Sequence, residues 1–132
     1  MSEKDMRQKL IVFLRDLDAV SVENPAFPGT PDINFIEGWL ECKWLREWPK
    51  KDNSIVHLEH FTPQQKVWIY RRWRKKGNVY LVLQCRKEWF VFDGETAFTH
   101  VGMVTKEELI KLAVYYSNSG LTEEFKNVIR FS

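Results

Sequence analysis

Asp32, Glu41 and Lys43 are the residues of this 132-residue chain whose types and spacing suit chemistry. They lie in the stretch Pro31-Asp32-Ile33-Asn34-Phe35-Ile36-Glu37-Gly38-Trp39-Leu40-Glu41-Cys42-Lys43, which reads as two short strands around a tight turn. With the turn centred between Glu37 and Gly38, Asn34 faces Glu41, Ile33 faces Cys42 and Asp32 faces Lys43. Side chains alternate along a strand. Ile33, Phe35, Leu40 and Cys42 then share an apolar face, while Asp32, Asn34, Glu41 and Lys43 share a polar one. A one-residue slip would break that sorting. Asp32 and Glu41 become diagonal neighbours with Cα atoms about 7–8 Å apart, so two carboxylates can converge on one cation. Mg²⁺ takes oxygen ligands at about 2.1 Å, usually one or two carboxylates plus water and substrate phosphate. A neighbouring ammonium can orient a water or offset charge growing on a phosphate. These are parts for metal-assisted phosphodiester cleavage. A plainer reading of the same spacing is a cross-strand ion pair of Asp32 with Lys43, with Glu41 solvated.

The elements that must position these groups follow from periodicity and punctuation. Ser2 to about Asp18 reads as a helix, with Met6, Leu10, Phe13, Leu14 and Leu17 at helical spacing and Ser2 as its cap. Val20 to Glu23 reads as a short strand. Asn24 to Pro31 is a loop with three prolines and a glycine. Thr62-Pro63 opens a second helix that runs to about Lys76 and stops at Gly77. Val79 to Cys85 is nearly all apolar, as in a buried central strand. Glu88 to Phe92 is a further strand, ended by Asp93-Gly94. Thr105-Lys106-Glu107-Glu108 is a capping box for a helix to about Tyr116. A short helix is expected near Thr122 to Val128. The order predicts an α/β fold, a mixed sheet with helices packed on it. Trp44 to Phe61 fits no simple element and reads as a substrate arm or a dimer element.

Bulk properties narrow the class. The length suits one domain with its own core. Net charge is +2, so there is no bulk basic attraction to nucleic acid, but Arg71, Arg72, Arg74, Lys75 and Lys76 lie within six positions. Such a stripe can bind phosphates or simply face solvent at a helix C-terminus, where cations are favoured. Two cysteines, Cys42 and Cys85, make neither a disulfide framework nor a zinc set. His57, His60 and His100 lack metal-ligand spacing, although His60 could reach the site. Trp44, Trp48 and Trp68 could stack on unpaired bases or pack in an interface, and Trp73 is expected to pack inward. There is no glycine-rich nucleotide loop, so no nucleotide cofactor is expected. The charged segment from Glu3 to Lys9 lacks a signal-peptide pattern. No apolar run approaches the ~20 residues of a membrane span. The expectation is a cytoplasmic protein.

Gly29-Thr30-Pro31-Asp32, Glu41-Cys42-Lys43 and Thr62-Pro63-Gln64-Gln65-Lys66-Val67-Trp68, in that order, resemble the PD-(D/E)xK nuclease superfamily. The pattern is most similar to its virus-type replication-repair (VRR-NUC) branch and to phage Holliday-junction resolvases. It covers about residues 2 to 85, and about 86 to 132 would be a C-terminal extension of one nuclease domain spanning 1–132. The resemblance implies a restriction-endonuclease-like αβββαβ core and dependence on Mg²⁺, with Mn²⁺ able to substitute. It implies that Asp32 and Glu41 bind metal with the backbone carbonyl of Cys42 as third ligand. Lys43 would be the catalytic lysine, and Gln65 a helix residue at the active site. Glu3 matches the acid many members carry on the first helix, and Glu23 is its rival. Arg71, Arg72, Arg74, Lys75 and Lys76 would contact DNA. The expected activity is endonucleolytic cleavage of branched DNA by a homodimer in phage replication, recombination or repair. Alternatives are an inactive DNA-binding subunit of the same fold and a restriction-like or exonucleolytic member.

Overall fold

The computed structural model describes residues 1–24 and 26–131, so Pro25 of the expected 24–31 loop lies outside the described residues. Its centre is a six-stranded mixed sheet whose spatial order is the chain order. The strands are β1 (Val20–Ser21), β2 (Ile33–Phe35), β3 (Gly38–Leu45), β4 (Val79–Cys85), β5 (Glu88–Asp93) and β6 (Tyr115–Ser117). Every neighbouring pair is antiparallel except β3 and β4. That parallel step needs a crossover, supplied by α2 (Pro63–Arg74). The other helices are α1 (Glu3–Phe13), α3 (Gly94–Thr99), α4 (Lys106–Leu112) and α5 (Glu123–Phe131). None is long and apolar enough to cross a membrane among the described residues.

Alternation along β3 and β4 sorts the core into two layers. Leu40, Cys42, Tyr80 and Val82 pack with Met6 and Leu10 of α1 and Phe125 and Ile129 of α5. Val79, Leu81 and Leu83 pack on the opposite face with Trp68 and Ile69 of α2, Ala97 of α3 and Leu109 of α4. β4 is buried at all seven positions, as its apolar run requires.

Several sequence expectations change. The first helix ends at Phe13, and a separate 3₁₀ turn covers Arg15–Leu17. The break falls at Leu14, and the 3₁₀ turn ends where Asp18 takes a left-handed φ of 56°. The strand expected over Val20 to Glu23 covers only Val20–Ser21. The second helix ends at Arg74, and Lys76, not Gly77, takes the left-handed turn with φ 69°. The strand from Glu88 ends at Asp93 as expected, and Asp93 also caps α3, accepting from Thr96 N–H at 2.8 Å. The capping-box helix stops at Leu112, because Tyr115–Ser117 leaves it to pair with β5 as an edge strand.

The hairpin register also shifts. Ile33 pairs with Leu40, Asn34 with Trp39 and Phe35 with Gly38, leaving Ile36 and Glu37 as a two-residue turn. This is two positions from the expected pairing. A shift of two preserves the faces, so Ile33, Phe35, Leu40 and Cys42 are all buried on the α1 side. Gly38 sets this register from the other side. A Cβ there would lie 2.0 Å from the Asn78 carbonyl oxygen, which accepts from Trp39 N–H at 3.0 Å. Gly38→Ala is expected to cost about 3 kcal/mol, lowering the thermal midpoint by roughly 10 °C in a melt. An unchanged midpoint would show that the β3–β4 contact yields freely.

Trp44 to Phe61 is not a free arm. Trp48 packs edge-on against Phe90 at 5.6 Å and donates its indole N–H to Glu88. Glu88 also accepts from Tyr116 Oη at 2.6 Å and pairs with Lys106 at 3.1 Å. Burial alone would raise the Glu88 carboxyl, but the bonds from Tyr116, Trp48 and Lys106 outweigh it and hold the carboxyl below its ordinary value. Val56 N–H donates to Val104 O at 2.9 Å, which fastens the far end of the segment to the start of α4.

Candidate active site

β3 carries Glu41 and Lys43 on the sheet face that α2 covers, and both are buried, at 1% and 3% exposure. Lys43 Nζ donates to the His60 carbonyl oxygen at 2.9 Å and stands 3.3 Å from Glu41 Oε2. That last contact is an ion pair without hydrogen-bond alignment, since neither Glu41 oxygen has a hydrogen-bond partner among the described residues. The Lys43 ammonium also lies 5.8 Å from the centre of the Phe61 ring. His60 thus reaches the site through its backbone rather than its imidazole.

Asp32 sits just before β2. Extending the observed register by one residue sets it level with Glu41 rather than Lys43. Its Oδ2 accepts from Cys42 N–H at 2.9 Å, and its Oδ1 lies 3.6 Å from an Arg7 guanidinium nitrogen. The plainer reading, an ion pair of Asp32 with Lys43, is not what forms among the described residues: Asp32 is paired with Arg7, and Lys43 with Glu41. Arg7 was missed in the sequence, although it lies one helical turn after Glu3 on the same face of α1.

Burial pushes the Glu41 carboxyl well above its ordinary value. The charge of Asp32 raises it further, and Lys43 offsets only part of this. Burial likewise raises the Cys42 thiol, with Asp32, Glu41 and Glu3 adding to the effect. The thiol belongs to the α1-side core and is no nucleophile. Its backbone is another matter. The N–H and C=O of a strand residue point to the same side, and Cys42 N–H points to Asp32. The β2–β3 ladder ends at Leu40, so the Cys42 carbonyl faces the same edge without a strand opposite it.

Glu3 and Lys43 line one cavity of about 360 Å³, with Trp44, Arg46, His57 and Glu59 among its other walls. Glu3 stands at the mouth of the site. Glu23 is exposed beyond β1. Among the described residues, no three His, Cys, Asp or Glu side chains are grouped closely enough to enclose a metal ion by themselves. The available donors are two carboxylates and a carbonyl. That set fits Mg²⁺, which keeps several waters, and the orphaned oxygens of buried Glu41 are what such an ion would satisfy.

Gln65 takes a different post from the one expected. Thr62 Oγ1 accepts from Gln65 N–H, and Gln65 Oε1 accepts from Thr62 N–H at 3.0 Å, closing a capping box. Its amide oxygen therefore holds the start of α2, which adjoins Lys43 through His60 and Phe61. Gly29, at φ +92°, leans on the same turn: a Cβ there would meet the Gln64 carbonyl at 2.5 Å. The basic run is split too. Arg71, Arg74, Lys75 and Lys76 are exposed, whereas Arg72 lies 4.3 Å over the Trp68 ring and braces α2.

No family model and no curated protein matches the chain. Among solved structures it is similar to Hjc, a Holliday junction resolvase from the archaeal hyperthermophile Archaeoglobus fulgidus. The TM-score is 0.55 over 94% of this chain and 98% of that chain, at 20% sequence identity. The fold is restriction-endonuclease-like. Within it, the buried acid–lysine pair sits where the β2–β3 ladder opens.

Proposed function

We propose that this protein is a divalent-metal-dependent DNA endonuclease that acts on branched DNA such as a Holliday junction. The observation that carries this reading is Glu41. It is a buried carboxylate with neither oxygen hydrogen-bonded among the described residues, set beside Asp32 and ion-paired with Lys43 at 3.3 Å. A chain that only bound DNA would gain nothing from burying such a group unsatisfied, at a cost of several kcal/mol per ion. The likeness in fold to a resolvase supports the choice of substrate by analogy, because fold does not fix function.

In this reading Asp32, Glu41 and the Cys42 carbonyl hold Mg²⁺ or Mn²⁺. The ion would supply a Lewis acid that polarises a phosphoryl oxygen. Cys42 N–H and Arg7 fix the Asp32 carboxylate. Lys43, anchored by the His60 carbonyl, orients the attacking water and meets charge that develops on the phosphate. Arg71, Arg74, Lys75 and Lys76 hold backbone phosphates about 15 Å further along α2, at ~1.5 Å per residue. The whole chain acts as one nuclease domain, and a two-fold pair of copies makes the two matched cuts a junction requires.

The test is a cleavage panel of four-way junction, flap, single-stranded, linear duplex and closed circular DNA, with Mg²⁺ and with a chelator. Metal-dependent cutting of the junction is expected, with the closed circle cut only if endonucleolysis extends to duplex. Failure to cut any substrate would leave the inactive binding subunit as the better reading.

A further inference from the structure

Val67, Tyr70, Arg71 and Arg74 recur at helical spacing and form one stripe of α2. The neighbouring stripe, with Trp68 and Ile69, already packs on the sheet. Tyr70 stacks on Phe98 of α3, with ring centres 4.3 Å apart and planes at 19°. Both rings are half-buried, and Val67 beside them is 55% exposed. With Arg71, Arg74 and Lys75 they line an open cavity of about 520 Å³. The Arg74 guanidinium lies 5.6 Å from the centre of the Tyr70 ring. Of the tryptophans that the sequence offered as base-stacking candidates, Trp68 is 8% exposed and Trp48 is held by Glu88 and Phe90, while half-buried Trp44 belongs to the wall of the Lys43 cavity.

An aromatic pair open to water and hemmed by three cations fits an occupant that is flat, apolar on its face and anionic at its edge. A nucleobase with its phosphate has those properties. A second copy of the chain does not, because two-fold pairing through this surface would bring two sets of three cations together. We infer that this cavity takes an unpaired base of a DNA strand. The base stacks at Tyr70 and Phe98, and the flanking phosphates meet Arg71, Arg74 and Lys75. The inference rests on the DNA reading above and adds a reason for preferring branched DNA. Tyr70 lies about 12 Å along α2 from Thr62 at ~1.5 Å per residue, which is three to four base steps at ~3.4 Å each. A flap or a fork with a single-stranded arm supplies an unpaired base beside the branch, and continuous duplex does not.

Fluorescence anisotropy in chelator tests this with a labelled 20-nucleotide single strand and a blunt duplex of the same length. Tyr70→Leu/Phe98→Leu is expected to weaken single-strand binding about ten-fold and duplex binding by less than two-fold. Arg71→Gln/Arg74→Gln should weaken both and reduce the salt slope by about two. Stacking is also read on the unaltered protein, by quenching of 2-aminopurine in the bound strand, so a misfolded variant does not decide the outcome. Equal losses on the two DNAs, no loss on the single strand, or absent quenching overturns the base site. So does a concentration-dependent dimer that the leucine variant abolishes. The cleavage panel is scored separately. Cutting by the native protein with no effect of the leucine variant removes only the base site. Stacked binding without any cutting removes only the nuclease.

Discussion

Replacing Lys43 by methionine is expected to lower metal-supported DNA hydrolysis by about 10²- to 10³-fold, the usual effect of removing one positioned charge from a transition state. Methionine keeps most of the stem, while the ammonium and its contacts with Glu41, the His60 carbonyl and the Phe61 ring are lost. Lys43 is only 3% exposed, so DNA affinity should change by less than a few-fold. The loss should therefore fall on the catalytic rate. Removing one member of a buried pair also destabilises, and a melt of the variant must show that it is folded at the assay temperature. A folded Lys43→Met protein that cuts junction DNA at the native rate would remove Lys43 from the chemistry.

The second large effect separates the pH response from the metal response. Glu41→Gln leaves the buried Lys43 ammonium without its carboxylate, and breaking a buried pair at one partner is expected to destabilise the metal-free protein by about 3 kcal/mol. The amide can still donate to Asp32 and accept from Lys43. The pH dependence follows from the raised carboxyl. The folded chain raises the Glu41 carboxyl, so it holds a proton that the unfolded chain has already released. Stability of the metal-free native protein therefore falls as pH rises from the ordinary carboxylate range through the raised value. Glu41→Gln should flatten that fall. Mn²⁺ at a hundred times its dissociation constant should stabilise the native protein by about 2.7 kcal/mol and the variant hardly at all. Equal stabilisation of both by Mn²⁺ would place the ion elsewhere.

The sequence was most legible where one physical rule acted alone. The buried run Val79–Cys85, the Thr62 helix cap, the Thr105 capping box and the two faces of the hairpin were all readable locally. The hairpin register was not, because a slip of two leaves every side chain on its own face. What decides it is the close approach of Gly38 to Asn78, forty residues away. The strand at Tyr115–Ser117 was hidden by a helix signal that continued past Leu112, and only pairing with β5 draws it out. Trp44 to Phe61 resisted reading for a related reason. Its anchors, Glu88, Phe90, Val104 and Lys106, come from later in the chain. At the site, the residue types named Asp32, Glu41 and Lys43, but the way they pair depends on α1. Arg7 takes Asp32 and frees Lys43 for Glu41. Gln65 shows the limit of reading a role from type and position, since its amide oxygen serves the helix that carries it.

The two outermost strands have a consequence for how copies of this chain can meet. β1 is two residues long and β6 three, so the sheet ends at each side in a stub with few open backbone groups. Long open edges invite another chain to add a strand, and short ones are a natural defence. At β1 and β6 crowded copies of this protein thus find no ribbon to extend, and the open edge of β3 beyond Leu40 lies in the candidate site, so an association of two would be built from side chains on helices and loops. A pair so built would be dissolved by substitutions on one face, with every strand of each copy left intact.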